Sequence, residues 1–253
     1  MSSKSVSLNQ GLEAFTNTAS SFGFSAVSLN SLTGTDQYTL VTIAVDKSGS
    51  VSSYVNDINK VIASVVEACR KSPRADNLLL RVVEFDHRQS ELHGFKQLMD
   101  CNVGDYVQSN MANLGGSTAL FDTTLNAIES AVKYGKQLVS QDYAANAIVV
   151  IVTDGDDNAS KVSPKFIKDE LANAKKSESV ESVLAILVGV NSTNTLDAYL
   201  DSFKTSAGFD QYVGIPDASP NKLARLAQFI SKSVSSQSQS LVNGTGKSQT
   251  LTF

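Results

Sequence analysis

Hydrophobic residues fall along this chain in two rhythms. Short, nearly continuous apolar runs recur, and longer stretches with apolar residues three and four apart separate them. The runs are YTLVTIAVD ending at Asp46, LLLRVVEFD ending at Asp86, AIVVIVTD ending at Asp154, SVLAILVGV ending at Val190 and QYVGIP closing near Pro216. Val- and Ile-rich runs without alternation are the pattern of strands buried on both faces. Between them, Val55 to Arg70 carries Val55, Ile58, Ile62, Val65 and Cys69 on one helical face. Phe121 to Tyr134, Pro164 to Lys176 and Leu196 to Thr205 repeat that pattern, and each is long enough to be a crossover helix. Ser90 to Leu98 follows the second run after a short turn and carries spaced Leu92, Phe95 and Leu98, which reads as an antiparallel hairpin partner at the sheet edge.

Strands alternating with helices predict an α/β fold: a doubly wound, mostly parallel six-stranded sheet with one antiparallel edge strand and helices on both faces. The main domain is expected over residues 38–232. Residues 1–37, with Leu12, Phe15, Ala19 and Phe22 at helical spacing, read as an N-terminal appendage packed on it. A last helix after Pro220 carries Leu223, Leu226, Ala227 and Ile230, and residues 233–253, rich in Ser and Gln, read as a flexible tail.

Composition narrows the classes. With 253 residues and 42% of them hydrophobic, the chain can build one sizeable core. Its 21 Lys and Arg are scattered and its net charge is −4, which leaves no electrostatic footprint for nucleic acid. The opening MSSKSVSLNQ is polar and no apolar stretch approaches the roughly 20 residues that span a bilayer, so neither export nor membrane insertion is expected. Cys69 and Cys101 are far apart and form no CxxC, which argues against a disulfide framework or a zinc knuckle. Cys69 reads as an inert core thiol, and the expected localisation is cytoplasmic.

The candidate chemistry sits at strand ends. In a doubly wound sheet of order 3-2-1-4-5-6 the first and fourth strands are neighbours, and ligands bind at their carboxyl ends. Asp46 and Asp154 then face one crevice. Asp46 opens DKSGS, which offers Ser48 and Ser50, and the loop NLGGSTALFD adds Ser117 and Thr118 on a Gly-Gly pair that permits close backbone approach. Two carboxylates with Ser48, Ser50 and Thr118 make an oxygen-only donor set. Such a set suits a hard cation, Mg²⁺ or Mn²⁺ first with Ca²⁺ as a further candidate, and excludes thiolate or imidazole ligation. An open coordination position would accept an anionic oxygen, such as an Asp or Glu carboxylate of a partner protein. The alternative for DKSGS alone is a solvated turn with Ser50 or Ser52 as helix N-cap, and the matching Asp154 and GGST loop weigh against it.

These residues resemble the von Willebrand factor A domains, whose metal-ion-dependent adhesion site (MIDAS) combines D-x-S-x-S, a distant Thr and a distant Asp. The matching positions are Asp46, Ser48, Ser50, Thr118 and Asp154, with the TDG context at Thr153 to Gly155, and the resemblance spans roughly residues 38–232. It implies a Rossmann-like sheet and metal-dependent binding without catalysis. Asp122 is expected to support the loop without being a ligand, and Lys47 to point away from the ion into solvent. Relatives of this type in bacteria and their viruses look like adaptors for ATPases or stress-response complexes, so a partner of that kind is implied.

Other signals are weaker. GTGKS lacks the first glycine of a phosphate loop, since that position is Leu241, and DGDDNAS lacks the glycine and glutamate of an EF-hand, where Ala159 and Lys165 stand. Asp156, Asp157 and Asn158 read instead as a polar loop opening the next helix. A phosphotransferase would want a second carboxylate at Ser48. His87 and His93 precede the late strands that a serine hydrolase would use, and both read as surface residues. The leading expectation is an intracellular, non-enzymatic adaptor that binds a partner carboxylate through a metal. The competing classes are a structural subunit with a structural metal, and a metal-dependent phosphoryl hydrolase drawing its base from Asp122, Asp156 or Asp157.

Overall fold

A computed structural model describes residues 12–16, 22–107, 116–177, 179–244 and 248–253. The first core strand, Gln37–Asp46, is buried on both faces over most of its length. In chain order the strands are β1 (Leu12–Phe15), β2 (Phe24–Val27), β3 (Gln37–Asp46), β4 (Leu78–Phe85), β5 (Gln89–Gln97), β6 (Ala144–Thr153), β7 (Val183–Val190) and β8 (Gln211–Ile215). The helices are α1 (Val55–Arg70), α2 (Val103–Val107), α3 (Leu120–Val139), α4 (Pro164–Lys176), α5 (Asn194–Ala207) and α6 (Pro220–Val242).

The sheet runs β1-β2-β5-β4-β3-β6-β7-β8. Its last six strands therefore have the doubly wound order that the apolar runs imply, with β3 parallel to both β4 and β6. Strand alternation divides the apolar residues between two layers. Val41, Ile43 and Val45 pack with α1 and α6 on one face, and Leu40 and Ala44 pack with α3, α4 and α5 on the other. Burial on both faces explains why the runs lack polar alternation. Among the described residues no helix is long and apolar enough to cross a membrane.

Several sequence expectations need correction, beginning with the sheet. The sheet has eight strands, and β5, antiparallel to β4, is not an edge, because β2 pairs with it through Ala26 and Phe95. Leu12 and Phe15 belong to strand β1, antiparallel to β2, where the paired rings of Phe15 and Phe24 stack at 4.9 Å. The spacing of Leu12 and Phe15 fits a helix turn as well as a four-residue strand; Ala19, which extended the helical pattern, lies outside the described residues, as does Gly115 of the Gly-Gly pair.

The second correction concerns the tail. α6 does not stop near 232 but runs to Val242, with Ser233, Gln237 and Ser238 buried. Gln237 Nε2 lies 3.1 Å from Ala147 O, 2.9 Å from Ser182 Oγ and 3.1 Å from Ser248 Oγ, and Asn146 Nδ2 donates to Gln237 O at 2.6 Å. Hydrogen bonds to the strand ends let a polar helical turn be buried. Beyond it, Leu251 O accepts from Gln211 Nε2 at 2.8 Å and the Phe253 ring meets Phe229 edge-on. Replacing Gln237 by Ala strands those acceptors, so urea unfolding is expected to show a loss of about 2 kcal/mol.

The third correction is His93, which is buried in β5. Its Nδ1 lies 2.8 Å from Gly94 O and its Nε2 2.8 Å from the Tyr106 hydroxyl, so the neutral ring donates to the carbonyl and accepts from the phenol. Burial above all, with Lys96 and Arg81 adding to it, pushes the imidazole down to about 3. That value lies below the unfolded value of 6.5, so on acidification the unfolded chain takes the proton first. The stability is present above about pH 6.5 and is lost progressively to about pH 3, at about 1.4 kcal/mol per pH unit. Across that window His93→Gln is expected to flatten the pH dependence of urea midpoints by the equivalent of one proton.

Candidate metal centre

At the carboxyl end of β3 the chain must leave the sheet, and Asp46 organises the exit. Its Oδ1 accepts from Ser48 N at 2.8 Å, an Asx-type turn that bends the backbone away, while Lys47 N prolongs the ladder to Phe85 O at 2.6 Å. A short 3-10 turn, Gly49–Ser53, leads into α1. The α1 N-cap position is Tyr54, without a side-chain cap bond, so neither Ser50 nor Ser52 is the helix cap that the alternative reading offered. Ser50 Oγ instead donates to Asp154 Oδ1 at 2.6 Å and lies 3.0 Å from Ser48 Oγ.

β6 runs beside β3 in parallel register, with Val45 opposite Val152. One residue on, Thr153 Oγ1 donates to Asp46 Oδ2 at 2.6 Å, and Gly155 N lies 3.2 Å from the same hydroxyl. Thr153 thus holds the first carboxylate and turns the chain that presents the second. A Cβ built on Gly155 would stand 3.8 Å from Thr118 Oγ1, which places the Thr118 hydroxyl against the Asp154 turn. Thr118 is fixed through its backbone: its N donates to Asn158 Oδ1 at 2.7 Å, and its O accepts from Asn158 N at 3.0 Å and Ala159 N at 3.1 Å. Asp122 Oδ1 accepts from Lys161 N at 2.9 Å and Val162 N at 3.0 Å, bracing that loop from α3. The DGDDNAS segment is accordingly a clasp on the Thr118 loop.

All five sequence candidates meet at this end of the sheet. Asp46 is fully buried, Ser48 and Thr118 are buried, Asp154 is partly buried and Ser50 is exposed at the mouth. Burial is the main influence that pushes the Asp46 carboxyl up to about 6; hydrogen bonds from Thr153 and Ser48 oppose it, and the Asp154 charge adds to it. One residue of the site escaped the sequence reading. Tyr54 donates its phenol to Asp154 Oδ2, and burial followed by that bond raises its pKa. Nothing in the local pattern of SSYV marks this contact, whereas Thr153 was signalled by the TDG context.

Lys47 is corrected as well. It is buried, its Nζ donating to Asn59 Oδ1 at 2.6 Å and lying 3.4 Å from Glu84 Oε1, and burial lowers its pKa. The only lysine in the loop is therefore turned to the far side. Among the described residues no ion pair reaches Asp46 or Asp154. Nor do the described residues contain a group of three His, Cys, Asp or Glu that could hold a metal ion. Two carboxylates without a cationic partner, beside three hydroxyls, fit a divalent ion of the hard class.

Residues 41–231 match the family model of the von Willebrand factor type A domain. The chain belongs to that family. No curated protein matches the sequence. Among solved structures, this A domain superposes on proximal thread matrix protein 1 from the mussel byssus with a TM-score of 0.55 at 18% identity, over 79% of this chain and 46% of that one. On the PilB minor pilin from Streptococcus sanguinis the TM-score is 0.56 at 16% identity, over 81% of this chain and 62% of that one. The A domain thus spans less than two thirds of either protein. A further structure of the mussel protein, described as having a zinc-occupied MIDAS motif, matches with a TM-score of 0.51 at 17% identity, covering 78% and 45%. At these identities the likeness establishes the shared fold.

Proposed function

We propose that this A domain is a non-catalytic, metal-dependent protein-binding module. Asp46, Ser48, Ser50, Thr118 and Asp154 would form a complete MIDAS holding Mg²⁺, or Mn²⁺ in its place, and an Asp or Glu of a partner protein would supply the remaining ligand. The carrying observation is the pair of carboxylates at neighbouring strand ends, one of them fully buried, with no cationic side chain paired to either among the described residues. Burying a carboxylate without a counter-charge is costly, and a divalent cation removes that cost.

The hydrogen-bond directions support the same reading. Ser50 gives its proton to Asp154, so its oxygen lone pairs remain for an ion. Asp46 is anchored by Ser48 N and the Thr153 hydroxyl, which holds the carboxylate still at the bottom of the site. When bound, the metal supplies a positive centre that an anionic oxygen can complete. With Lys47 withdrawn, acidic partners would be selected by the ion itself.

Hydrolysis is the weaker reading because two of its three candidate bases are engaged otherwise. Asp122 accepts from two backbone amides, and Asp157 accepts from the Ser160 hydroxyl at 2.5 Å and Phe121 N at 3.2 Å. The two free, buried cysteines favour a reducing compartment such as the cytoplasm, and an adaptor role there is part of the proposal.

The test is a pull-down from native cell extract in Mg²⁺ or EDTA, with wild type, Asp46→Ala and Ser48→Ala. A protein retained by wild type in Mg²⁺, released by EDTA, missed by both variants and lost when its own contacting Asp or Glu is replaced supports the reading. Capture that ignores EDTA and both substitutions contradicts it.

A further inference from the structure

We propose that Tyr54 determines which divalent cation the site prefers, by pinning Asp154 through both carboxylate oxygens so that it cannot chelate a large ion. The inference rests on the metal-binding reading above and adds a selectivity-setting residue outside the five candidates. Asp154 is held from two sides: Ser50 Oγ donates to Oδ1 at 2.6 Å and the Tyr54 phenol donates to Oδ2. Both donors come from one short stretch, the 3-10 turn Gly49–Ser53 and the N-cap position of α1 that follows it, so one backbone segment places both. The Tyr54 ring is buried in the core layer under α1, which fixes where its hydroxyl can reach.

Bidentate chelation needs both oxygens of a carboxylate turned to the ion. Calcium takes six to eight oxygens at about 2.3–2.6 Å and often binds a carboxylate that way, whereas magnesium demands near-octahedral geometry at about 2.0–2.1 Å with one oxygen per carboxylate. A carboxylate tied at both ends by hydroxyl donors suits the second and obstructs the first. The ring alone would satisfy packing, since phenylalanine fills the same volume. The hydroxyl adds an orientation that packing does not require.

Calorimetric titration of Mg²⁺ and of Ca²⁺ into the full chain tests this with wild type, Tyr54→Phe and Tyr54→Leu, each confirmed folded by circular dichroism. Both variants lack the hydroxyl, and the first keeps the ring. The expected result is a fall of about tenfold in the Mg²⁺:Ca²⁺ affinity ratio in both, equivalent to about 1.4 kcal/mol, with Ca²⁺ binding gaining in absolute terms. A contact of purely structural worth would weaken both ions alike, so an unchanged ratio overturns the proposal. A wild type that binds neither ion overturns it together with the metal-binding reading. If wild type binds, Asp46→Ala does not, and the ratio in Tyr54→Phe is that of wild type, the role of Tyr54 alone is overturned.

Discussion

Asp46→Asn is expected to make the metal-free A domain more stable at pH 7, by about 1–3 kcal/mol, and at the same time to abolish its stabilisation by Mg²⁺. The first effect follows from charge burial. The Asp46 carboxyl stands near 6 in the fold against 3.8 when exposed, so the folded chain holds the proton more tightly than the unfolded one. Stability from this group is therefore greatest below about pH 4 and is lost as the pH rises through about 6, and at pH 7 the whole cost is present. The difference corresponds to an upper bound of about 3 kcal/mol, reduced because the asparagine amide must find an acceptor. Thr153 makes that feasible: its hydroxyl lies 3.2 Å from Gly155 O and can turn there, leaving its own oxygen for the new N–H. The second effect follows from losing the proposed ligand set. At a Mg²⁺ concentration 100 times the dissociation constant, wild type gains about 2.7 kcal/mol that the variant does not. Urea unfolding in EDTA and in Mg²⁺ measures both. A variant less stable than wild type in EDTA, or one with an intact Mg²⁺ response, would contradict the assignment.

Arg81→Ala is expected to destabilise the fold by about 3–5 kcal/mol, the larger effect on folding itself. Arg81 sits in the middle of β4 with no exposed surface, its Nε donating to Glu91 Oε1 at 2.6 Å and its Nη2 to Asn126 Oδ1 at 2.9 Å. Glu91 also accepts from Ser25 N at 3.0 Å and Ser25 Oγ at 2.6 Å, and Asn126 Nδ2 donates to Phe22 O at 2.5 Å. One guanidinium thus links the sheet, α3 and the N-terminal strands. Truncation leaves the mostly buried Glu91 carboxylate without its cation, and the orphaned charge is the dominant cost. The double variant Arg81→Met with Glu91→Gln removes both charges and keeps an acceptor for Ser25, so it is expected to recover most of the loss. Thermal melts followed by circular dichroism decide the point. A single-variant loss under about 1 kcal/mol, or a double variant worse than the single, would contradict this account.

How much of this was legible in the sequence depended on how each contact is encoded. β3, β4, β6 and β7 were readable because strands buried on both faces leave unbroken apolar runs, and α1 and α4 because one apolar stripe faces the sheet. Asp46, Ser48, Ser50, Thr118 and Asp154 were readable because the order of those strands brings their ends together. What stayed hidden was burial achieved by pairing. Arg81 interrupts an apolar run and His93 sits in a mixed one, yet each is buried beside a specific partner. Gln237 looks like tail composition and is core, because its amide meets acceptors at the ends of β6 and β7. Lys47 looks like a loop cation and is withdrawn to Asn59 and Glu84. Tyr54 reaches Asp154 across the sheet, a relation that no local spacing expresses.

The central claim is that five oxygen-bearing side chains at the ends of β3 and β6 and before α3 hold one divalent cation. Calorimetric titration of Mg²⁺ and Mn²⁺ into the metal-free chain, beside Ser48→Ala and Thr118→Ala, tests it most directly. The account predicts saturable binding at a single site in wild type and at least about a tenfold weakening in each variant, a loss of about 1.4 kcal/mol or more. No binding by wild type, or equal affinity in all three proteins, would contradict it.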